Sequence, residues 1–126
     1  MTSSKADEKR RAGGAIRVPF VRRCTLDYGG GESDSAFIVN INVLGAYVAN
    51  EKMPALGRTV VFRFQVPGSE RELVADGVVA WTNPQQEHPV HSLPAGFGVA
   101  FRNLSDDARS RIEQIVHDYL ARQARD

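Results

Sequence analysis

The sequence predicts a mainly β domain, a small six-stranded antiparallel β-barrel with a C-terminal α-helix. Three observations predict it. Six short stretches between Ile16 and Phe101 favour strands, most of them alternating apolar and polar residues at the two-residue period of a half-buried strand. Turn chemistry punctuates them, most plainly at Gly29-Gly30-Gly31 and Pro67-Gly68. A single stretch after Ser105 switches to helical spacing. The 126 residues suit one domain, and 42% apolar residues supply one ordinary core.

Residues 1–14 read as a flexible basic arm, because almost nothing in them is apolar and they end in Gly13-Gly14. The domain proper is assigned to 15–122 and a short tail to 123–126. Val18, Phe20, Cys24 and Leu26, followed by Tyr28, form a long extended segment; Pro19 cannot donate to a ladder and belongs at a strand start or edge. Ala36 to Asn40 and Ala46 to Val48 are two short strands, with Phe37, Val39 and Ile41 expected on one side. Thr59 to Val66 places Val60, Phe62, Phe64 and Val66 on one face and Val61, Arg63 and Gln65 on the other.

Glu70 to Trp81 continues the meander, with Leu73, Ala75, Val79 and Trp81 on one parity and Gly77 marking a bulge or a close backbone approach. Asn83 to Pro94 is irregular and contains Pro84, Pro89 and Pro94. Phe97, Val99 and Phe101 then alternate with Gly96, Gly98 and Ala100, a small face expected to admit the final helix. That helix starts with Ser105 as cap and Asp106 and Asp107 against the positive end of the dipole. Ile112, Ile115, Val116, Tyr119 and Leu120 form its apolar stripe.

Charge balance narrows the function. The 16 Lys and Arg nearly match the 15 Asp and Glu, which disfavours a nucleic-acid coat, and no apolar run approaches the ~18–20 residues of a membrane span. The first 25 residues nevertheless carry seven basic and two acidic side chains, +5, against −4 for the remainder. An anionic partner is sought there first. DNA or RNA binding is disfavoured because the basic patch is small and no aromatics interleave with it. The lone Cys24 and the polar N-terminus point to the cytoplasm. Cys24 reads as a buried thiol, since no His or acid lies near it in sequence to activate it.

Catalytic patterns are missing: the sequence contains no phosphate loop, no HExxH, no CxxC pair and no GxSxG. His88 and His91 lie in the Pro-rich loop without a third ligand and read as solvated rather than metal-binding. The chain is therefore read as a non-enzyme with no metal and no cofactor.

Arg17-Val18-Pro19-Phe20-Val21-Arg22-Arg23, Gly45-Ala46-Tyr47-Val48, Leu56-Gly57, Gly77-Val78-Val79-Ala80-Trp81 and Gly96-Phe97-Gly98-Val99-Ala100-Phe101 before Leu104-Ser105 resemble the PilZ domain family, bacterial receptors for cyclic di-GMP. The likeness runs from about Arg10 to Leu120, and the barrel with a terminal helix that it implies agrees with the periodicity. It also implies a ligand site built from RxxxR in the leading segment and [DN]xSxxG between two strands. In such a site guanidinium groups stack on guanine and fork onto phosphate, while the polar turn meets the base edge.

This chain departs from both motifs. Arg17 stands before Val-Pro, but Gly13 occupies the position four earlier, and the upstream arginines are Arg10 and Arg11. Asn40 and Gly45 match the second motif, while Asn42 replaces the serine. Looping out extra arm residues to restore an arginine costs about 1–2 kcal/mol for each residue ordered. A lost charge-assisted contact costs roughly 1.5–3 kcal/mol.

Two readings follow. The first is a non-catalytic module regulating motility or surface behaviour through a protein partner, with cyclic di-GMP binding weakened or lost and Arg22 and Arg23 as partner-binding candidates. The second is a functional receptor whose arm orders over the nucleotide, held by Arg10, Arg11, Arg17, Asn40, Asn42 and Gly45. In a purely structural role, Asn40 and Asn42 would bond to the turn backbone and Gly45 would provide a permissive conformation.

Overall fold

The computed structural model describes residues 16–84 and 93–125. Six strands, β1 (Val18–Gly29), β2 (Glu32–Ile41), β3 (Gly45–Ala49), β4 (Thr59–Gln65), β5 (Glu72–Asn83) and β6 (Gly96–Arg102), precede one helix, α1 (Asp106–Arg125). The strands close into a barrel in the order β1-β2-β3-β6-β5-β4, every neighbouring pair antiparallel. The expected fold class is the observed one. The arm (residues 1–14) and loop residues 85–92, with His88 and His91, lie outside the described residues.

The alternation read in β4 is the alternation observed. Val60, Phe62 and Phe64 are buried, and Leu26, Leu73, Val79, Phe97 and Val99 meet them from the other strands. Burial of this interior is the main stabilising term, at about 1.5–3 kcal/mol for each large apolar side chain removed from water. Phe62 lies between Phe64 and Phe101, with ring centroids 5.6 and 5.7 Å away.

β2 departs from the expected parity. Ala36 and Ile38 face inward and Phe37 stands 45% exposed, yet Ile41 is again buried. A register shift between Ile38 and Asn40 explains both, because one extra residue reverses which side chains face the core. In β5 the irregularity falls between Val79 and Trp81 rather than at Gly77. Gly77 instead marks a close approach, since a Cβ there would meet the Val99 side chain and the Ala100 carbonyl.

The small face of β6 admits an indole, not the helix. A Cβ on Gly98 would collide with Nε1 and Cδ1 of Trp81, and Trp81 stacks on Tyr47 with centroids 5.2 Å apart. The sequence showed the space without showing its occupant. The Tyr47 hydroxyl donates to the Pro94 carbonyl at 2.5 Å and accepts from Asn83 Nδ2 at 3.2 Å, which fixes both stems of the 84–95 connection.

The helix begins as the sequence reads. Ser105 Oγ accepts from the Ala108 amide at 3.0 Å, and Asp107 pairs with Arg71 at 3.1 Å and Arg111 at 3.6 Å. Ala108 and Ile112 join the core, with Ile115, Val116 and Tyr119 packed behind them. Leu120 remains 45% exposed. Arg111 donates to the Arg71 carbonyl at 2.6 Å.

Gly98→Ala is expected to cost about 1–3 kcal/mol through overpacking against Trp81, read as a lower thermal midpoint. Combining it with Trp81→Ala should cost less than the two changes added, because the larger cavity accepts the methyl group. Strict additivity would show that the indole is not what Gly98 accommodates.

Candidate functional site

Register brings two separated sequence segments together. Val18 pairs with Ile41 and Pro19 with Asn40, so the chain bearing Arg17 arrives alongside the Asn40–Gly45 turn. Pro19, second in β1, sits where the missing N–H is tolerated. Arg17 is half-buried, and burial pulls its guanidinium below the ordinary arginine value. Among the described residues it has no hydrogen-bond or ion-pair partner. Asn40 Oδ1 is likewise buried without a hydrogen bond.

The turn itself is tightly bonded. Asn42 is 2% exposed, and its Oδ1 accepts from the Leu44 amide at 2.8 Å and the Gly45 amide at 3.0 Å. The Asn42 amide donates to the Gly45 carbonyl at 2.9 Å, and Leu44 O accepts from Phe101 N at 2.9 Å. Side-chain closure of a turn in this way is ordinary Asn chemistry. Gly45 is required for a steric reason rather than an unusual backbone conformation: a Cβ there would overlap the Val99 carbonyl oxygen.

The two partner-binding candidates part company. Successive strand residues project to opposite faces. Arg22, opposite buried Ile38, is half-buried. Arg23, opposite Phe37, is exposed. The Arg23 guanidinium lies 4.9 Å from the Phe37 ring centroid and donates to Ser35 Oγ at 3.2 Å. Arg10 and Arg11 are outside the described residues. The structure therefore gathers Arg17, Asn40, Asn42 and Gly45 at one end of the barrel and sets Arg23 on its outer wall.

One feature beside the turn was not legible. Asn42 and Val43 form one wall, and Val116, Leu120 and Ala121 the other, of a mainly apolar groove of about 530 Å³, with Glu113 and His117 also lining it. Some seventy residues of sequence separate the two walls, and no local pattern signals their meeting. Among the described residues no group of three or more His, Cys, Asp or Glu could hold a metal ion. No described helix is long and apolar enough to cross a membrane.

The PilZ domain family model matches residues 7–118. The chain belongs to the PilZ domain family. A similar solved structure is the crystal structure of the PilZ domain of CeSA from a cellulose synthesizing bacterium, at TM-score 0.58 and 11% identity, covering 83% of this chain and 98% of that one. At that identity the likeness establishes the fold. No curated protein matches the sequence. PilZ domains are non-catalytic binding modules, generally for cyclic di-GMP in signalling.

Cys24 is the buried thiol that the sequence predicts. The residue is 2% exposed, and burial pushes the thiol up to about 12 from 9.0. The folded state thus favours the neutral thiol. Its stabilising contribution is complete below about pH 9 and erodes as pH rises toward 12. Alkylation of the folded chain at pH 8 should be at least a hundredfold slower than in denaturant; equal rates would place the thiol at the surface.

Asn42→Ala leaves the Leu44 and Gly45 amides without their acceptor, an expected loss of roughly 1–3 kcal/mol in chemical denaturation. Asn42→Ser, with a shorter acceptor suited to the same turn, should lose less. Equal losses for the two variants would mean that the side-chain bonds do not hold the turn.

Proposed function

We propose that this PilZ domain is a non-catalytic cytoplasmic signalling module that acts through a protein partner and binds cyclic di-GMP more weakly than a domain with both motifs intact. The observation that carries the reading is the use of Asn42. Where the family motif has a serine hydroxyl, this chain has an amide oxygen accepting two backbone hydrogen bonds inside the turn. An oxygen committed in this way has little capacity left for a ligand. The position four before Arg17 is Gly13, which removes a second contact.

Enough of the site remains for weak binding. Arg17 and Asn40 Oδ1 lack partners among the described residues and lie on paired segments. A buried acceptor without a donor costs about 1–3 kcal/mol, and a guanine edge or a water supplies a donor. The competent-receptor reading draws its support from this pair. Regulation of motility or surface behaviour rests on the family resemblance alone.

Calorimetry with cyclic di-GMP on the full chain tests the reading. Wild type should bind in the micromolar range or weaker, and Arg17→Ala should abolish the signal. Asn42→Ser should tighten binding about tenfold, equivalent to ~1.4 kcal/mol. Submicromolar affinity in the wild type, unchanged by Arg17→Ala and Asn40→Ala, would overturn both the weakening and the site.

A further inference from the structure

The longest strand pairing, β1 with β2, carries a face that the candidate nucleotide site does not use. On β1, Val21 is 76% exposed, and on β2, Phe37 is 45% exposed. Between them Arg23 spans the strands, its guanidinium above the Phe37 ring and hydrogen-bonded to Ser35. β2 is paired along both edges, by β1 and β3, and β1 is paired to β2 and, at Thr25–Asp27, to β4, so what this face presents to a partner is its side chains.

The charge pattern states which kind. Residues 16–26 and 35–50 contain no Asp or Glu and include Arg17, Arg22 and Arg23. The 15 acidic residues of the chain all fall outside these two stretches. Elsewhere on the barrel, the part-buried arginines Arg58 and Arg63 pair with Glu32 and Glu72. Arg23 instead rests on an aromatic ring, which holds its planar group in place at the surface while leaving its charge uncompensated.

We infer that the outer face of β1 and β2 around Val21, Arg23 and Phe37 docks an acidic segment of a protein partner that also presents aliphatic or aromatic side chains. A carboxylate forks onto Arg23, and apolar side chains cover Val21 and the free part of the Phe37 ring. Aromatic and arginine side chains of this kind commonly anchor interfaces. The inference rests on the protein-contact reading above and gives that contact a place and a chemistry.

The test is an NMR titration of the full chain with a synthetic peptide alternating Glu and Leu, alongside the same peptide with Lys for Glu and anionic phosphatidylglycerol vesicles. The acidic peptide should shift the amides of residues 21–25 and 35–39. Its affinity should fall at least tenfold in Val21→Asp and in Arg23→Glu, and stay unchanged in Val74→Asp, which alters exposed Val74 on β5. The surface is ruled out if these amides do not move, if the Lys peptide binds equally, or if only the vesicles bind. A photo-crosslinker placed at Val21 or at Val74 in cells separates this failure from failure of the protein-contact reading. Attachment to an acidic partner segment at Val21 supports both. Attachment only at Val74 leaves a protein contact and removes this surface, and attachment at neither site counts against both.

Discussion

Closure of the sheet at six strands is the constraint from which the rest of this structure follows. The seam is short: Thr25 with Arg63, Leu26 with Phe62 and Asp27 with Val61 join β1 to β4. A barrel this narrow has its interior filled by side chains, since even eight strands leave little more than side-chain room. Phe62, Leu26, Ile38, Phe97 and Leu73 are buried in it. Space for a ligand or partner is consequently left to the outer wall and the barrel ends, and closure shortens the free edges that an open sheet would offer to another chain.

The same crowding explains why a motif position survives when its motif is altered. Gly45 lies where β3 crosses so close to β6 that the Val99 carbonyl leaves no room for a Cβ. Its presence is demanded by the fold whether or not a nucleotide binds. A match at Gly45 therefore says little about ligand, whereas Arg17 and Asn40, whose polar groups are not consumed by the fold, say more. Sorting motif residues by what the empty fold requires of them is more informative than counting matches.

Periodicity made the barrel readable because most strands bury one face and leave the other to solvent. It failed at the irregular positions, where the pattern carries no mark of an inserted residue. In β2 the three residues Phe37, Val39 and Ile41 share a parity on paper, but the shift at Val39 sends Phe37 outward and Ile41 inward. The small face of β6 was visible in Gly96, Gly98 and Ala100, while its occupant, Trp81, comes from a strand that local spacing cannot bring near. Of the candidate site, the convergence of Arg17 with Asn40 depends on β1–β2 pairing, and the groove beside Asn42 depends on where the helix lies. Arg22 and Arg23 looked like one patch because adjacency in sequence hides the alternation of a strand.

Asn42 puts its side chain to use inside the fold, at the position where the family motif has a serine. A serine hydroxyl can rotate between a turn amide and a ligand, being both donor and acceptor. The Asn42 amide group, 2% exposed and accepting from two successive backbone amides through one oxygen, has its orientation fixed. The turn gains a strong internal brace, and its outer surface loses a mobile polar group. What stays available on this side of the barrel is distributed along one ribbon, with Arg17 and Asn40 at its end and Val21, Arg23 and Phe37 on its wall. Pro19, paired with Asn40, is only two residues from Val21, and a register shift between Pro19 and Arg22 separates the ribbon's end from its wall.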